Sequence, residues 1–166
     1  MTAIFRPVSF AQDDSSIIKM VRKEVERINT DTSYTTRSIE NEQFLQQMTD
    51  GGGDMTGYFH NGELVKIIER VGLSSCVNIT EYYFDDSNLI FVYAIGREFL
   101  YVDSLAAFDA SSQSTTMECR FYFNDGEVIH KILHGQTRCG GQLGTDWVID
   151  FVPKATRYRE LLTNEN

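Results

Sequence analysis

The sequence predicts an α+β domain in which a curved antiparallel β-meander of about seven strands is packed by an N-terminal and a C-terminal helix. Three observations carry this prediction. A hairpin phrase of two aromatics, a polar turn and two aliphatics is written three times. An amphipathic helical stretch precedes the repeats, and an apolar stretch containing a proline follows them. At 166 residues one domain is expected, over 13–166, with 1–12 set apart as a signal remnant or disordered arm.

The N-terminal helix rests on spacing. Asp13-Asp14-Ser15-Ser16 supplies capping groups and favourable charge at a helix start. Ile17, Ile18, Val21, Val25 and Ile28 then recur on one face, while Lys19, Arg22, Lys23, Glu26 and Arg27 fill the other. A helix over 15–29 follows, with Asn29 near its end. Thr32–Glu40 is rich in Thr, Ser and Tyr and reads as a polar first strand. Asn41–Met48 suits either a short helical turn or more strand, and Asp50-Gly51-Gly52-Gly53-Asp54 breaks regular structure.

The three copies of the phrase are Tyr58-Phe59-His60-Asn61-Gly62-Glu63-Leu64-Val65, Tyr83-Phe84-Asp85-Asp86-Ser87-Asn88-Leu89-Ile90 and Tyr122-Phe123-Asn124-Asp125-Gly126-Glu127-Val128-Ile129. Asn-Gly and Asp-Gly between apolar runs are strong hairpin signals, because both turn residues take positive φ. Each copy predicts one hairpin: Met55–His60 with Glu63–Val71, Asn78–Phe84 with Leu89–Ile95, and Thr116–Phe123 with Glu127–Leu133. Three sequential hairpins make a meander, which can curl toward a half-barrel.

Period-two alternation assigns faces. Met117, Cys119, Phe121 and Phe123 form a core face opposite Glu118, Arg120 and Asn124, with Tyr122 among the latter. In Glu63–Val71, strict alternation groups Val65, Ile67 and Val71 with Glu63 and Glu69, and Leu64 and Ile68 with Lys66 and Arg70. Leu89–Ile95 is apolar on both faces, so it belongs at the centre, covered on both sides. Residues 96–115 interrupt the repeat and read as a long connection with a polar Ser111–Thr116 stretch, of the kind that often carries function. Arg138–Gly144 reads as a loop. Pro153 suits the first position of a last helix, with Arg157, Tyr158, Leu161 and Leu162 toward the sheet.

Composition narrows the function classes. The formal net charge is −9 and no basic run exceeds two residues, which disfavours nucleic acid as a partner. The longest apolar run, Leu89–Ile95, is far short of the roughly 20 residues of a membrane-spanning helix. Cys76, Cys119 and Cys139 allow at most one intramolecular disulfide and include no Cys-x-x-Cys. The three read as buried or idle thiols, with a Cys76–Cys139 bridge as the alternative only if the chain is exported to an oxidising compartment. Val8-Ser9-Phe10-Ala11-Gln12 has the small-residue character of a secretory cleavage site, but Arg6 and Pro7 interrupt the apolar stretch before it. A periplasmic or secreted location is expected, with a cytoplasmic one as the alternative.

No metal or cofactor is expected. His130 and His134 on a strand stand roughly 13 Å apart at ~3.3 Å per residue, too far to share an ion. His60 reads as a turn residue. Asp85, Asp86 and Asn88 lack the distal bidentate Glu and the spacing of a calcium loop, and turn chemistry explains them. Gly51–Gly53 and Gly140-Gly141 read as backbone punctuation rather than as phosphate cradles.

Aromatics supply the candidate surface. Tyr58, Tyr82, Tyr93, Tyr101 and Tyr122 concentrate around the hairpins, where tyrosine offers apolar area with a polar tip. A cross-strand aromatic ladder is the competing structural explanation. A rival site outside the repeats would use His130, His134, Cys139 and the 96–115 segment.

Two segments carry a resemblance: Gly57-Tyr58-Phe59-x-Asn61-Gly62-Glu63-Leu64-Val65-Lys66-Ile67 and Glu81-Tyr82-Tyr83-Phe84-x-x-x-x-Leu89-Ile90-Phe91-Val92-Tyr93. Over about residues 15–163 the chain resembles a group of small, mostly exported bacterial proteins of unknown function, in which an amphipathic helix precedes such hairpins. The phrases are also similar to the short repeats of some antitoxin-like and membrane-occupation proteins. Neither resemblance implies a catalytic residue. The expected function is a non-catalytic, extracytoplasmic binding module for a protein partner or a small apolar ligand, with a homodimer among the assemblies considered. The alternative is a small enzyme at the rival site.

Overall fold

The computed structural model describes residues 14–45, 48–139 and 147–164, with side chains described outside 147–149. The N-terminal arm, including the signal-like segment, lies outside the described residues. The order is α1 (Asp14–Thr30), β1 (Thr35–Glu40), a 3-10 turn (Asn41–Gln43), β2 (Gly53–His60), β3 (Glu63–Leu73), β4 (Cys76–Asp85), β5 (Asn88–Val102), a 3-10 turn (Asp103–Leu105), β6 (Ala107–Asn124), β7 (Glu127–Gly135) and α2 (Trp147–Thr163). The seven strands form one open antiparallel sheet in sequence order, with β1 and β7 at its edges. This is the expected α+β meander with a helix at each end.

The repeated phrase encodes more than a turn. All three turns hold two residues at positive φ: Asn61 and Gly62, Asp86 and Ser87, Asp125 and Gly126. This is the mirror-image turn whose twist matches its strands. In each hairpin the register then slips by one residue at the same place. Tyr58 pairs with Lys66, Tyr83 with Phe91 and Tyr122 with His130, so Val65, Ile90 and Ile129 are the extra residues. Bulges of this kind increase local twist. Three of them in succession curve the sheet.

The bulges also correct the strict alternation expected along Glu63–Val71. Leu64 and Ile67 face one core, while Val65 packs in the other. The extra residue shifts the period, so Glu69 and Val71 remain with Ile67 but Val65 does not.

The two helices cover opposite faces. α1 packs Val21 and Ile28, with Ile18 and Val25 beside them, on Val65, Tyr83, Phe91 and Tyr122. α2 packs Phe151, Ala155, Tyr158 and Leu162, one apolar stripe, on Met55, Ile67, Tyr82, Val92 and Phe121. β5, an inner strand one place from the middle of the sheet, is sandwiched, with Phe91 toward α1 and Val92 toward α2. Pro153 lies inside α2 rather than at its first position. The helix starts earlier because its stripe continues back through Phe151, whose ring meets Tyr82, Phe121 and Phe123. Arg37 Nη1 donates to the Leu162 and Asn164 carbonyls and so caps the C-terminal end of α2.

The expected 96–115 loop is instead strand. β5 runs on to Val102, the chain reverses through Asp103–Ala106, and β6 begins at Ala107. Tyr101 pairs with Phe108 and Phe99 with Gln113. Between them Asp109 turns on Ser111, whose N–H and hydroxyl both donate to its carboxylate, and the residues to Ser112 bulge outward. This polar bulge is what resembles a loop in the sequence.

Among the described residues no helix is long and apolar enough to cross a membrane.

Candidate binding site at the end of the sheet

The sheet tyrosines are divided between the two faces. Tyr82 is fully buried under α2, and its hydroxyl donates to Glu69 Oε2 at 3.1 Å. Tyr122 is buried beside α1, accepts a hydrogen bond from Arg22 Nε at 3.2 Å and meets Phe91 at a tilt, with centroids 4.9 Å apart. Tyr93 is half-buried on the α1 face, donates to Glu118 and lies under Arg120 at 4.9 Å. Tyr58, also half-buried, meets Tyr34 edge to face. Only Tyr101 of the five is exposed.

The rival residues do not gather. Tyr122 pairs with His130, and Ile132 and His134 follow at alternate positions, so both histidines are on the α1 face. Cys139 is bonded to Cys76, which alternation along β4 puts on the α2 face with Tyr82. Bonded in this way, Cys139 is no thiolate nucleophile. Cys119 is buried, and burial pushes its thiol above the ordinary range. Among the described residues no group of three or more His, Cys, Asp or Glu is arranged to hold a metal ion.

A buried polar centre escaped the sequence reading. Glu69, 3% exposed, accepts hydrogen bonds from Tyr82 and Tyr158 and pairs with Lys154 at 2.8 Å. A cleft of about 530 Å³ opens beside it between α2 and Phe44, Leu45 and Val71. Arg157 donates to the Phe44 carbonyl through Nη2, while its Nε finds no partner. Such a carboxylate could act as a base, but both oxygens already accept from tyrosine. Its groups are spent on one another, so the arrangement anchors α2 to β3 and β4. The signal was present: Glu69 shares its face with Ile67 and Val71, an acid on an apolar stripe.

The β5–β6 extension has the opposite character. β4 accompanies β5 only as far as Glu98, and β7 accompanies β6 only from Met117, so the ribbon beyond them has no strand on either side. Seven large hydrophobic side chains are exposed among the described residues. Four of them, Leu100, Tyr101, Leu105 and Phe108, fall on this one hairpin end. Tyr101 and Phe108 meet edge to face with centroids 5.1 Å apart. Of the four, the sequence marks Tyr101 alone as a binding-surface candidate; Leu105–Phe108 reads there only as an apolar stretch within the 96–115 segment.

The base of the ribbon is clamped. After β7 the chain crosses the α2 face over Gly96, where Thr137 occupies the space a Cβ would need, and reaches Cys76. Arg138 grips Glu98 through its backbone N–H at 2.8 Å and its guanidinium at 2.6 Å, and its guanidinium lies over Phe108. These contacts hold the Glu98 carboxyl below the usual carboxylate range, the backbone N–H of Arg138 being the largest cause. The apolar tip is therefore presented on a braced support.

Comparison with protein-family models, curated proteins and solved structures finds no match for this chain.

Proposed function

We propose that the protein is a non-catalytic binding module that docks a separate protein through the tip of the β5–β6 ribbon. One observation carries the reading: Leu100, Tyr101, Leu105 and Phe108 are exposed together at the end of a ribbon that projects past its neighbours. Clustered exposed apolar groups mark interaction sites, whereas scattered ones need no explanation. Tyrosine and phenylalanine are favoured anchors at interface centres. Asp103 and Asp109 flank the apolar groups, so the fitting partner offers an apolar cleft with a basic rim. The same acidity, with a net charge of −9, works against an anionic bilayer as the target. The Cys76–Cys139 disulfide supports work in an oxidising compartment, periplasmic or secreted.

The test begins with a photo-crosslinking residue at position 105 and, as control, at exposed Met48. The partner identified at 105 is purified and titrated against the wild-type chain. Leu105→Asp should weaken its binding at least tenfold, as loss of a central apolar anchor does, while Met48→Asp should leave it unchanged. Equal adducts at both positions, or unchanged binding by Leu105→Asp, would overturn the proposal. So would Leu105-dependent dimerisation in light scattering, or Leu105-dependent capture by neutral vesicles.

A further inference from the structure

We infer that a second site, in the groove between α1 and strands β5–β7, binds a small aromatic carboxylic acid. The groove has a volume of about 400 Å³ and is lined by Arg22, Val25, Phe91, Arg120, Tyr122, Ile132 and His134. That volume suits a small ligand. Phe91 and Tyr122, both buried, pack against each other at a tilt of 54° and form an aromatic floor. Val25 and Ile132 close its sides with aliphatic groups.

The charge around this floor contrasts with the rest of the chain. Acidic residues outnumber Lys and Arg by 24 to 15 overall, yet both charged side chains lining the groove are arginines. Arg22 reaches from α1 across the sheet. Its Nε is committed to the Tyr122 hydroxyl at 3.2 Å, and its guanidinium carbon lies 5.5 Å from the ring centre. Among the described residues no carboxylate pairs with it. Its two terminal nitrogens thus remain available at a fixed position over an aromatic ring. Arg120 is steadied over Tyr93 and stands 3.7 Å from Glu118, at the long limit of an ion pair. His134 adds a ring N–H at the rim.

The chemistry selects the ligand class. A guanidinium presents parallel N–H groups that match a carboxylate. An aromatic body covers Phe91 and Tyr122 better than an alkyl chain, since offset ring contacts add to simple burial. The neutral amide of the same acid would fill the groove but lose the charge-assisted pair with Arg22. This site shares no residue with the ribbon tip, so each stands or falls separately.

Phenylacetate and phenylacetamide, titrated calorimetrically into the full chain, are the two probes. Phenylacetate should bind, and phenylacetamide should bind at least tenfold more weakly. Arg22→Gln should weaken phenylacetate about tenfold, the usual consequence of losing one charge-assisted pair. Arg120→Gln should weaken it less, because Glu118 shares that guanidinium. Arg22→Gln gives up the bond to the Tyr122 hydroxyl, so its unfolding temperature should fall by only about 2–4 °C, the effect of about 1 kcal/mol in a chain of this size. Equal affinity for acid and amide would overturn the inference, as would unchanged binding by Arg22→Gln or no measurable binding of phenylacetate. Leu105→Asp should bind phenylacetate normally, and loss of its binding heat would also count against a site in this groove.

Discussion

Tyr158 donates its hydroxyl to Glu69 Oε1 at 2.6 Å, joining α2 to β3 across 89 positions of sequence. Tyr82 from β4 donates to the other oxygen, so one buried carboxylate ties three elements together. Lys154, more exposed, pairs with it from the next turn of α2.

Removing that carboxylate should therefore cost more than any one of its bonds. Glu69→Ala would leave two tyrosine hydroxyls without their acceptor, and a loss of about 3 kcal/mol is expected. Glu69→Gln keeps an acceptor and should lose about half as much. Tyr82→Phe and Tyr158→Phe should each cost about 1 kcal/mol and couple with Glu69→Ala in double-mutant cycles. Urea unfolding followed by circular dichroism measures all of these. A Glu69→Ala variant as stable as wild type would refute the anchoring role.

Turn chemistry differs among the hairpins in one informative respect. The second left-handed position holds Gly62 and Gly126 in two copies but Ser87 in the middle one. A side chain in that region is strained relative to glycine. Ser87→Gly should raise stability by about 0.5–1 kcal/mol, and Gly62→Ser should lower it similarly. Nothing lies within 4 Å of a Cβ placed at Gly62, so the difference reads backbone conformation alone. Thermal melts of the two variants should move in opposite directions; shifts of the same sign would count against this account.

The legible part of the fold was local. Asn61-Gly62 and Asp125-Gly126 announce their turns, and the spacing of Ile18, Val21, Val25 and Ile28 announces α1. The bulges at Val65, Ile90 and Ile129 were hidden, because an inserted residue changes facing without changing composition. Leu89–Ile95, apolar throughout, correctly foretold cover on both sides. The site was less legible because exposure is a tertiary property. Tyr82 and Tyr101 look alike in sequence, yet one is enclosed by Phe151 and Tyr158 while the other lies beyond the last residue paired to β4. Likewise Ser111–Thr116 has a loop's composition, and only the pairing of Gln113, Ser114 and Thr115 with β5 makes it strand.

The strap after β7 should depend on its disulfide. Cys76 and Cys139 are 63 residues apart with Cα atoms at 6.3 Å, and closing a loop of that length typically contributes about 2–4 kcal/mol. Cys139→Ser should lower the urea midpoint accordingly and speed hydrogen exchange at residues 136–139. Acid should act on the same strap through Glu98. Its lowered pKa means that the stabilisation is present above the ordinary carboxylate range and is lost as pH falls through the lowered value. Glu98→Gln should remove that acid dependence. If exchange in the strap, corrected for intrinsic rates, has the same pH response in both proteins, Glu98 is not its titrating group.

Alkaline titration reads the interior from the other side. An exposed phenol ionises near pH ~10, but burial raises Tyr82, Tyr83 and Tyr158, and a neighbouring carboxylate raises each further: Glu69 for Tyr82 and Tyr158, Glu81 for Tyr83. Tyr93, half-buried, is pushed up to about 12 by desolvation first and then by its hydrogen bond to Glu118. A raised pKa in the fold means that this stabilisation is complete below the unfolded phenol value and is lost as pH climbs past it. Phenolate absorbance of the native chain should therefore lag behind that of the chain in urea above pH ~10. Tyr93 should contribute a reversible step near 12, absent in Tyr93→Phe and moved downward in Glu118→Gln. Tyr82, Tyr83 and Tyr158 should ionise only as the protein unfolds, with absorbance and circular dichroism changing together. Early ionisation of all eight tyrosines in a still-folded chain would contradict the two helix-covered faces from which this order follows.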